Sequence, residues 1–143
     1  MVDSKDKILI EELTQNSKQT TSELAKRTRI PITTVHNRIK KLEQEGIITG
    51  YSVDLDYEKL GLPLEAVILV SVAYHNKQLN QEDVAKEIKK LGAHEVLIIT
   101  GEEDLLVRVR AKNVSSLNTF VTHKLRSVSG VDKTKTLLVL SKQ

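Results

Sequence analysis

The stretch IPITTVHNRIKKLEQEGII, residues 30–48, decides the fold of the N-terminal part of the chain. Within it Val35, Ile39 and Leu42 recur at the spacing i, i+4 and i+7, which forms one apolar stripe along a helix. Gly46 is placed to end that helix. The stretch therefore predicts an amphipathic helix whose outward side carries hydroxyl, imidazole, amide and cationic side chains.

Two shorter helices are expected before this one. Asp3 or Ser4 can cap the first helix, and Thr20 or Thr21 can cap the second. Residues 29–31 then form a short turn that leads into the third helix. Three helices arranged in this way describe a helix-turn-helix, whose third helix enters the major groove of DNA and contacts bases near its N-terminus.

The 3.6-residue period places the polar side chains of the third helix outward. We expect base contacts from Thr33, Thr34, His36 and Asn37, and phosphate contacts from Arg38, Lys40 and Lys41. Asn37 suits this role because an amide can donate to and accept from an adenine edge at once. Arg38 lies at the margin of this face and alternatively braces the turn. At the start of the second helix, Thr21 and Ser22 can bring backbone N–H groups to a phosphate.

The distribution of charge is more informative than its sum. The 143-residue chain has a net charge of +3, but six cations and no acid lie between Leu24 and Leu42. A solvated helix face is the alternative explanation of such a run. Cysteine is absent, which excludes disulfides, thiolate metal sites and a cysteine nucleophile. Because the sequence has neither a membrane-spanning apolar run nor a signal segment, we expect a cytoplasmic protein.

The hydrophobic pattern changes after the third helix. Residues Ile47 to Leu55 alternate between apolar and polar, which predicts a strand, and Gly61 and Pro63 interrupt regular structure after it. We expect a helix-turn-helix domain over residues 1–50, a strand and linker over residues 51–63, and a second domain over residues 64–143.

The second domain is expected to follow the order βαββαβ. Its strands are predicted at residues 64–74, 94–100, 105–111 and 132–140, with a tight GEED turn at 101–104 and helices capped by Asn80 and Asn113. The second of these helices carries Val114, Leu117, Val121 and Leu125 on its apolar face. The fold class is therefore α+β, with a ferredoxin-like domain whose two helices cover one face of a four-stranded antiparallel sheet.

The first strand of this domain is apolar on both sides. Val67, Leu69 and Ala73 lie on one side. On the other side lie Ala66, Ile68, Val70 and Val72. Because both helices are expected on a single face, the second apolar face has no covering element in its own chain. We therefore expect a homodimer that buries it.

The motifs resemble those of one family of regulators. Leu-Ala lies in the second helix, Thr-Val-x-x-Arg-Ile-x-x-Leu-Glu in the third, Gly-Ile-Ile at its end and Gly-x-x-Asp between the central strands. In this order, and nearly from end to end, the chain resembles the Lrp/AsnC (leucine-responsive, or feast/famine) family of bacterial and archaeal transcription regulators.

The resemblance implies a sequence-specific DNA-binding regulator that dimerises through its C-terminal sheets and often assembles further into tetramers or octamers. It implies double-stranded operator DNA as a partner, and a small effector, commonly an amino acid, near the turn between the second and third sheet strands. Carried over by position, the effector residues are Gly101, Glu103, Asp104 and Thr134. Alternatively, Gly101 and Asp104 simply build a hairpin turn.

Two positions depart from the family pattern. Pro31 stands where many relatives place a capping Ser, so another group is expected to cap the third helix, and Thr33 is the candidate. The turn reads GEED where many relatives have an aromatic residue before the Asp. The second departure leaves the identity and the existence of an effector open.

Other functions stay open from the sequence alone. One is an enzyme of the same architecture that resembles sirohaem decarboxylases, with His36, His75, His94 and His123 as candidate acids or bases. Their spacing does not indicate a metal site, and no cofactor is expected. The others are an architectural DNA-binding protein without an effector and a plain protein-interaction module.

Overall fold

Residues 1–73 and 79–142 are described by the computed structural model and divide into two units, Met1–Leu55 and Asp56–Gln143. The first unit consists of three helices, α1 Ser4–Gln15, α2 Thr21–Thr28 and α3 Ile32–Gln44. Their core is apolar, with Leu9, Leu24 and Val35 fully buried. The apolar stripe of α3 faces this core, as the sequence predicts.

Local capping explains where the first two helices begin. The side chain of Asp3 accepts hydrogen bonds from the backbone of α1, and Thr20 does the same for α2. In both helices the carboxylate of the third residue, Asp6 or Glu23, accepts a hydrogen bond from the backbone N–H of the capping residue. Both caps agree with the sequence prediction because they depend only on neighbouring residues.

The turn between α2 and α3 contains a left-handed residue. Arg29 has φ 58° and ψ 28°, and it is the one non-glycine residue with a positive φ in the described part of the chain. Pro31 disfavours a helical conformation for the residue before it, so the chain must leave α2 ahead of Ile30. A residue with a Cβ costs roughly 1 kcal/mol in the left-handed conformation, which glycine adopts freely.

The strand predicted over Ile47–Leu55 is wrong for this chain, because these residues carry no strand. Side chains hold the segment instead: Tyr51 Oη donates to Glu43 Oε1 at 2.7 Å, and Ser17 Oγ donates to the carbonyl oxygen of Ser52 at 3.2 Å. The Glu43 carboxylate raises the pKa of Tyr51 to about 12. Alternation of apolar and polar residues favours a strand, but a strand also needs a neighbouring backbone to pair with. No backbone of Met1–Leu55 pairs with this segment.

The second unit is the predicted ferredoxin-like domain. Its elements are β1 Leu64–Val72, α4 Gln81–Lys90, β2 Glu95–Ile98, β3 Leu105–Ala111, α5 Val114–Thr119, a π-helical turn Phe120–Lys124, a 3₁₀ turn Leu125–Ser127 and β4 Val131–Leu138. The strands pair antiparallel in the order β2-β3-β1-β4. Asn80 and Asn113 cap the two helices, as predicted.

Three details of this domain differ from the predictions. The GEED stretch is not a tight turn: β2 ends at Ile98, and the loop closes where Ile99 N–H donates to the Asp104 carbonyl at 2.9 Å. Val114 is 64% exposed, because it is the first residue after the cap rather than part of the apolar face. The predicted end of the first strand, Tyr74, lies outside the described residues, as does His75.

The two faces of the sheet differ in what covers them. Ile68, Val70 and Val107 are fully buried in the core between the sheet and the helices. On the other side, which we call the open sheet face, the apolar residues are Val67, Leu69, Leu97, Leu106 and Leu137. Leu97 and Leu137 are 43% and 48% exposed, so this face is apolar without being covered.

No helix within the described ranges is both long and apolar enough to cross a membrane.

Candidate nucleic-acid interface and effector loop

The outward side of α3 is a continuous polar surface. Thr33, His36, Asn37, Lys40 and Lys41 are exposed, and Thr34 and Arg38 are half-buried. Val35 and Leu42 on the opposite side are 0% and 2% exposed, which fixes the rotation of the helix. The predicted DNA-facing residues therefore lie together, with Thr34 and Arg38 at the edges of the surface.

The hydrogen-bonding groups of this surface are not used inside the protein. In the described residues, the side chains of Thr33, Thr34, His36 and Asn37 make no hydrogen bond. Polar groups that fold a protein are usually paired within it. These four side chains are therefore available to an external partner such as a base edge.

The backbone N–H groups at the start of α3 also have no side-chain cap. Pro31 is the N-terminal boundary residue, and no side chain caps the helix, whereas the other four α-helices of the described chain all have a side-chain cap. The prediction that Thr33 caps α3 is wrong, because the helix begins at Ile32 and Thr33 already lies inside its first turn. The first N–H groups of α3 are left for an external acceptor, for which phosphate is well suited.

Arg38 forms ion pairs within the chain in addition to its predicted position at the margin of the α3 surface. Its Nη1 lies 2.6 Å from Asp3 Oδ2 and 2.8 Å from Asp6 Oδ1. The pKa of Asp6 is lowered by the hydrogen bond from Asp3 N–H and by Arg38, and the pKa of Asp3 by the hydrogen bond from Asp6 N–H and by Arg38. Arg38 therefore links α3 to the start of α1 through Nη1, and its other N–H groups form no hydrogen bond within the described residues.

The remaining cations of this unit divide into paired and unpaired groups. Arg27 Nε lies 2.7 Å from Glu12 Oε2, and Lys41 Nζ lies at a longer 3.7 Å from Glu45 Oε1. The side chains of Lys40 and Arg29 form neither an ion pair nor a hydrogen bond within the described chain. Sequence reasoning did not single out Arg29, although Pro31 two residues later is a signal that the chain must reverse there.

The start of α2 is less suited to phosphate than predicted. Thr21 is half-buried and Ser22 is exposed, but the Glu23 carboxylate accepts the Thr20 N–H at 2.7 Å. That hydrogen bond lowers the pKa of Glu23, so the carboxylate is ionised near neutral pH. A negative charge already lies where the phosphate was expected.

The loop between β2 and β3 brings Gly101, Glu103 and Asp104 together. Gly101 has φ 142°, and an added Cβ would meet no atom within 4 Å, so its backbone is open to close approach. Asp104 is structural: its carboxylate accepts Val72 N–H at 2.7 Å and Gln81 Nε2–H at 2.8 Å. These bonds attach the loop to the end of β1 and the start of α4.

Thr134 is separated from Glu103 by the sheet. Thr134 pairs with Val70 on the helix-covered side and accepts a hydrogen bond from Arg126 Nε at 3.1 Å. Lys135 lies on the open sheet face and contacts Glu103 Oε1 at 2.8 Å, which raises the pKa of Lys135. Because side chains alternate along a strand, Thr134 and the Glu103–Lys135 pair face opposite ways.

A buried carboxylate organises the charges of the open sheet face. Glu65 is 6% exposed and forms ion pairs with Arg110, with Arg108 at 3.4 Å and with Lys142 at 3.0 Å. Burial raises the pKa of Glu65, but the cations Lys142, Arg110 and Arg108 outweigh it, so the net pKa is lowered. Each of these three cations therefore has an acidic partner within the chain, although together they outnumber the single Glu65 carboxylate.

No group of three or more metal-binding side chains occurs among the described residues. Within those residues, His36 lies on α3 of the first unit, and His94 and His123 lie in the second unit, before β2 and in the π-helical turn.

Comparison with known proteins agrees with this architecture. The Lrp/AsnC ligand binding domain family matches residues 65–143, and the winged helix-turn-helix DNA-binding family matches residues 2–49. The chain belongs to the Lrp/AsnC family. The predicted fold class and family are thereby confirmed.

Relatives of this Lrp/AsnC chain extend along its length. It is 40% identical over 139 residues to an HTH-type transcriptional regulator of Pyrococcus furiosus, covering 96% of this chain and 92% of the relative. It is 35% identical over 140 residues to the HTH-type transcriptional regulator FL11 of Pyrococcus horikoshii, covering 97% and 89%. The L-methionine complex of a Neisseria meningitidis transcriptional regulator has a TM-score of 0.92 and 28% identity, covering 99% and 92%.

This Lrp/AsnC chain is a helix-turn-helix transcription regulator with a C-terminal ligand-binding domain. Its family consists of transcription regulators rather than enzymes.

Proposed function

We propose that this regulator binds operator DNA by placing the start of α3 in the major groove. The observation that carries this proposal is the outward surface of α3, whose exposed amide, imidazole and hydroxyl groups have no hydrogen bond in the described chain. Residues 1–50 are the DNA-binding domain, residues 51–63 the linker, and residues 64–143 the dimerisation and effector domain. A DNA partner places the protein in the cytoplasm.

The residues of α3 have separate roles in this proposal. Asn37, His36 and Thr33 contact base edges, and half-buried Thr34 contributes at the margin. Lys40 and Lys41 contact phosphates, together with the uncapped N–H groups at the start of the helix. Arg38 holds α3 in position through Asp3 and Asp6.

Selection of bound duplexes from a random-sequence DNA pool tests the proposal directly. We expect enrichment of a short palindromic motif, because the two chains of a dimer present two recognition helices to two half-sites. Retention of DNA without a motif would instead support an architectural DNA-binding protein. Absence of retained DNA at low salt would overturn DNA binding altogether.

We also propose a homodimer that buries the open sheet face. Its apolar residues are exposed or half-buried in a single chain, and the cations Arg110 and Lys135 beside them are paired with Glu65 and Glu103. Burying cations that already have acidic partners costs less than burying cations without them. Sedimentation equilibrium at micromolar concentration should give twice the chain mass of 16.1 kDa or a higher multiple. A single-chain mass would overturn the proposal.

The loop at Gly101–Asp104 is proposed as the effector site, with Thr134 as a more distant contributor. An amino acid is the proposed ligand class, supported by the L-methionine complex of the Neisseria relative. Gly101 admits close approach of the ligand to the backbone, Glu103 supplies a carboxylate at the loop, and Asp104 anchors the loop rather than receiving the ligand.

Calorimetry with each of the twenty amino acids tests this site. We expect heat from at least one of them, and a weaker affinity for it in Glu103→Ala than in the neighbouring control Glu102→Ala. Glu103 suits the test because its ion pair with Lys135 is partly exposed and contributes little to folding. Absence of binding heat with all twenty amino acids would overturn the proposed effector site.

A further inference from the structure

We propose that Arg29 is a phosphate-contacting residue beside the recognition helix, held for this purpose in a strained turn. The inference rests on the proposed DNA binding and adds a residue to it. Three observations support it: the backbone conformation of Arg29, the absence of a partner for its guanidinium in the described chain, and its distance from the start of α3.

The backbone conformation of the turn does not explain why an arginine lies at position 29. With φ 58°, Arg29 occupies the left-handed region that glycine adopts without steric cost, and asparagine tolerates better than other residues. The Cβ of Arg29 therefore destabilises the turn. A side chain that is retained at a strained position is a candidate for a function outside the fold.

The packing of the helical unit does not account for the arginine either. The other two arginines of the acid-free run are paired, Arg27 with Glu12 at 2.7 Å and Arg38 with Asp3 and Asp6. Arg29 is exposed and has neither an ion pair nor a hydrogen bond in the described part of the chain. Its guanidinium is therefore free to bind an external anion.

The position of Arg29 matches the edge of a DNA groove. Arg29 precedes Ile32, the first residue of α3, by three positions, so their Cα atoms lie within about 11 Å. The major groove is about 12 Å wide, and phosphates line both of its edges. A guanidinium next to the inserted helix end can reach one of them and bind it through two parallel hydrogen bonds.

A cation in this place has one other physical explanation. Arg29 follows the last residue of α2, and a positive charge there interacts favourably with the helix dipole. Under that explanation the charge serves folding, so removing it lowers the unfolding temperature and leaves DNA binding per folded molecule unchanged. The two explanations therefore predict different results for DNA affinity, a loss if Arg29 contacts phosphate and no change if its charge serves only the helix.

The test uses the full chain with Arg29→Gly and Arg29→Lys, and Arg27→Gln as the control. The probes are two fluorescent 30-base-pair duplexes, one with the motif from DNA selection and one of scrambled sequence, measured by anisotropy over a range of salt. Thermal unfolding is followed by circular dichroism.

We expect Arg29→Gly to unfold at the wild-type temperature or above. Its affinity should fall for both duplexes alike, by roughly three- to tenfold per bound copy. The slope of log K against log salt should decrease by about 0.9 per copy. Arg29→Lys should keep the wild-type salt slope while losing part of the affinity, and Arg27→Gln should leave the slope unchanged.

Unchanged affinity and salt slope in Arg29→Gly, with wild type bound to DNA, would overturn the role of Arg29 and leave the proposed function intact. A lowered unfolding temperature with unchanged affinity would overturn it in favour of the helix-dipole explanation. Failure of the wild type to bind either duplex would overturn the proposed function, and this inference with it.

Discussion

Two basic surfaces of this protein differ in whether their cations have acidic partners within the chain. On the helical unit, Arg29 and Lys40 have no ion pair in the described chain, and the polar side chains of α3 have no hydrogen bonds. On the open sheet face, Arg108, Arg110 and Lys142 surround a single buried carboxylate, Glu65.

This difference distinguishes a surface for an anion from a surface for another protein. Unpaired cations gain most from the phosphates of DNA, which release bound counterions when they are neutralised. Paired cations around an apolar patch are less costly to bury against a second chain, because each already has an acidic partner. In this proposal the same residue types serve two partners, depending on the acids that neighbour them.

The largest expected effect comes from breaking the charge pairing of the open sheet face. Glu65→Ala leaves Arg110, whose side chain is 14% exposed, without its carboxylate, and we expect the free energy of unfolding to fall by roughly 3–5 kcal/mol. Chemical denaturation of the full chain measures this loss. A variant as stable as wild type would show that the pairing is incidental.

Glu95→Ala is the matched control for this change. Glu95 contacts Arg108 at 3.0 Å on the same face, but the two side chains are 39% and 40% exposed. Removing such an exposed pair should cost less than about 1 kcal/mol. Equal losses for the two variants would mean that burial does not set the value of these ion pairs.

A charge placed in the apolar part of the same face should dissociate the dimer. In Leu69→Asp, an unpaired carboxylate has to be buried at the interface, and we expect the dimer dissociation constant to rise by about a hundredfold or more. Sedimentation equilibrium measures it. Leu140→Asp, at a residue 91% exposed beyond β4, is the control and should leave dimerisation unchanged. A Leu69→Asp variant that dimerises like wild type would place the interface elsewhere.

A smaller effect is expected at the brace between α1 and α3. Asp6→Asn keeps the size of the side chain but removes its charge beside Arg38, and should cost roughly 1–2 kcal/mol at pH 7. The pKa of Asp6 is lowered in the folded protein, so its contribution is present above the unfolded pKa near 3.8 and is lost as pH falls through the lower folded value.

Denaturation of wild type and Asp6→Asn between pH 7 and pH 3 checks this sign. The stability difference should hold down to about pH 4 and shrink below it. A difference that stays constant across the whole range would show that the lowered pKa of Asp6 contributes nothing to stability.

Features set by neighbouring residues were predictable from the sequence. The apolar stripe of α3 and the caps at Asp3, Thr20, Asn80 and Asn113 depend on spacings of a few residues. The order of strands and helices in the second unit follows from the same local patterns. The outward surface of α3 was predictable because a helix with one buried side has only one other side to offer.

Features set by distant residues were not predictable. Arg38 was assigned to phosphate because its partners Asp3 and Asp6 lie more than thirty residues away, at separations of 35 and 32. The same holds for Asp104, which binds Val72 and Gln81 at separations of 32 and 23. Local patterns show which face a side chain occupies but not which distant group it meets.

The central claim is that the unpaired surface of α3 reads DNA sequence, and the comparison of Asn37→Ala with Lys40→Ala tests it most directly. Affinities for the selected duplex and for a scrambled duplex are measured at one salt concentration. Asn37→Ala should lower the affinity for the selected duplex by roughly tenfold or more, with little change in the affinity for the scrambled one. Lys40→Ala should lower both affinities alike. Equal losses from the two substitutions on both duplexes would contradict the claim.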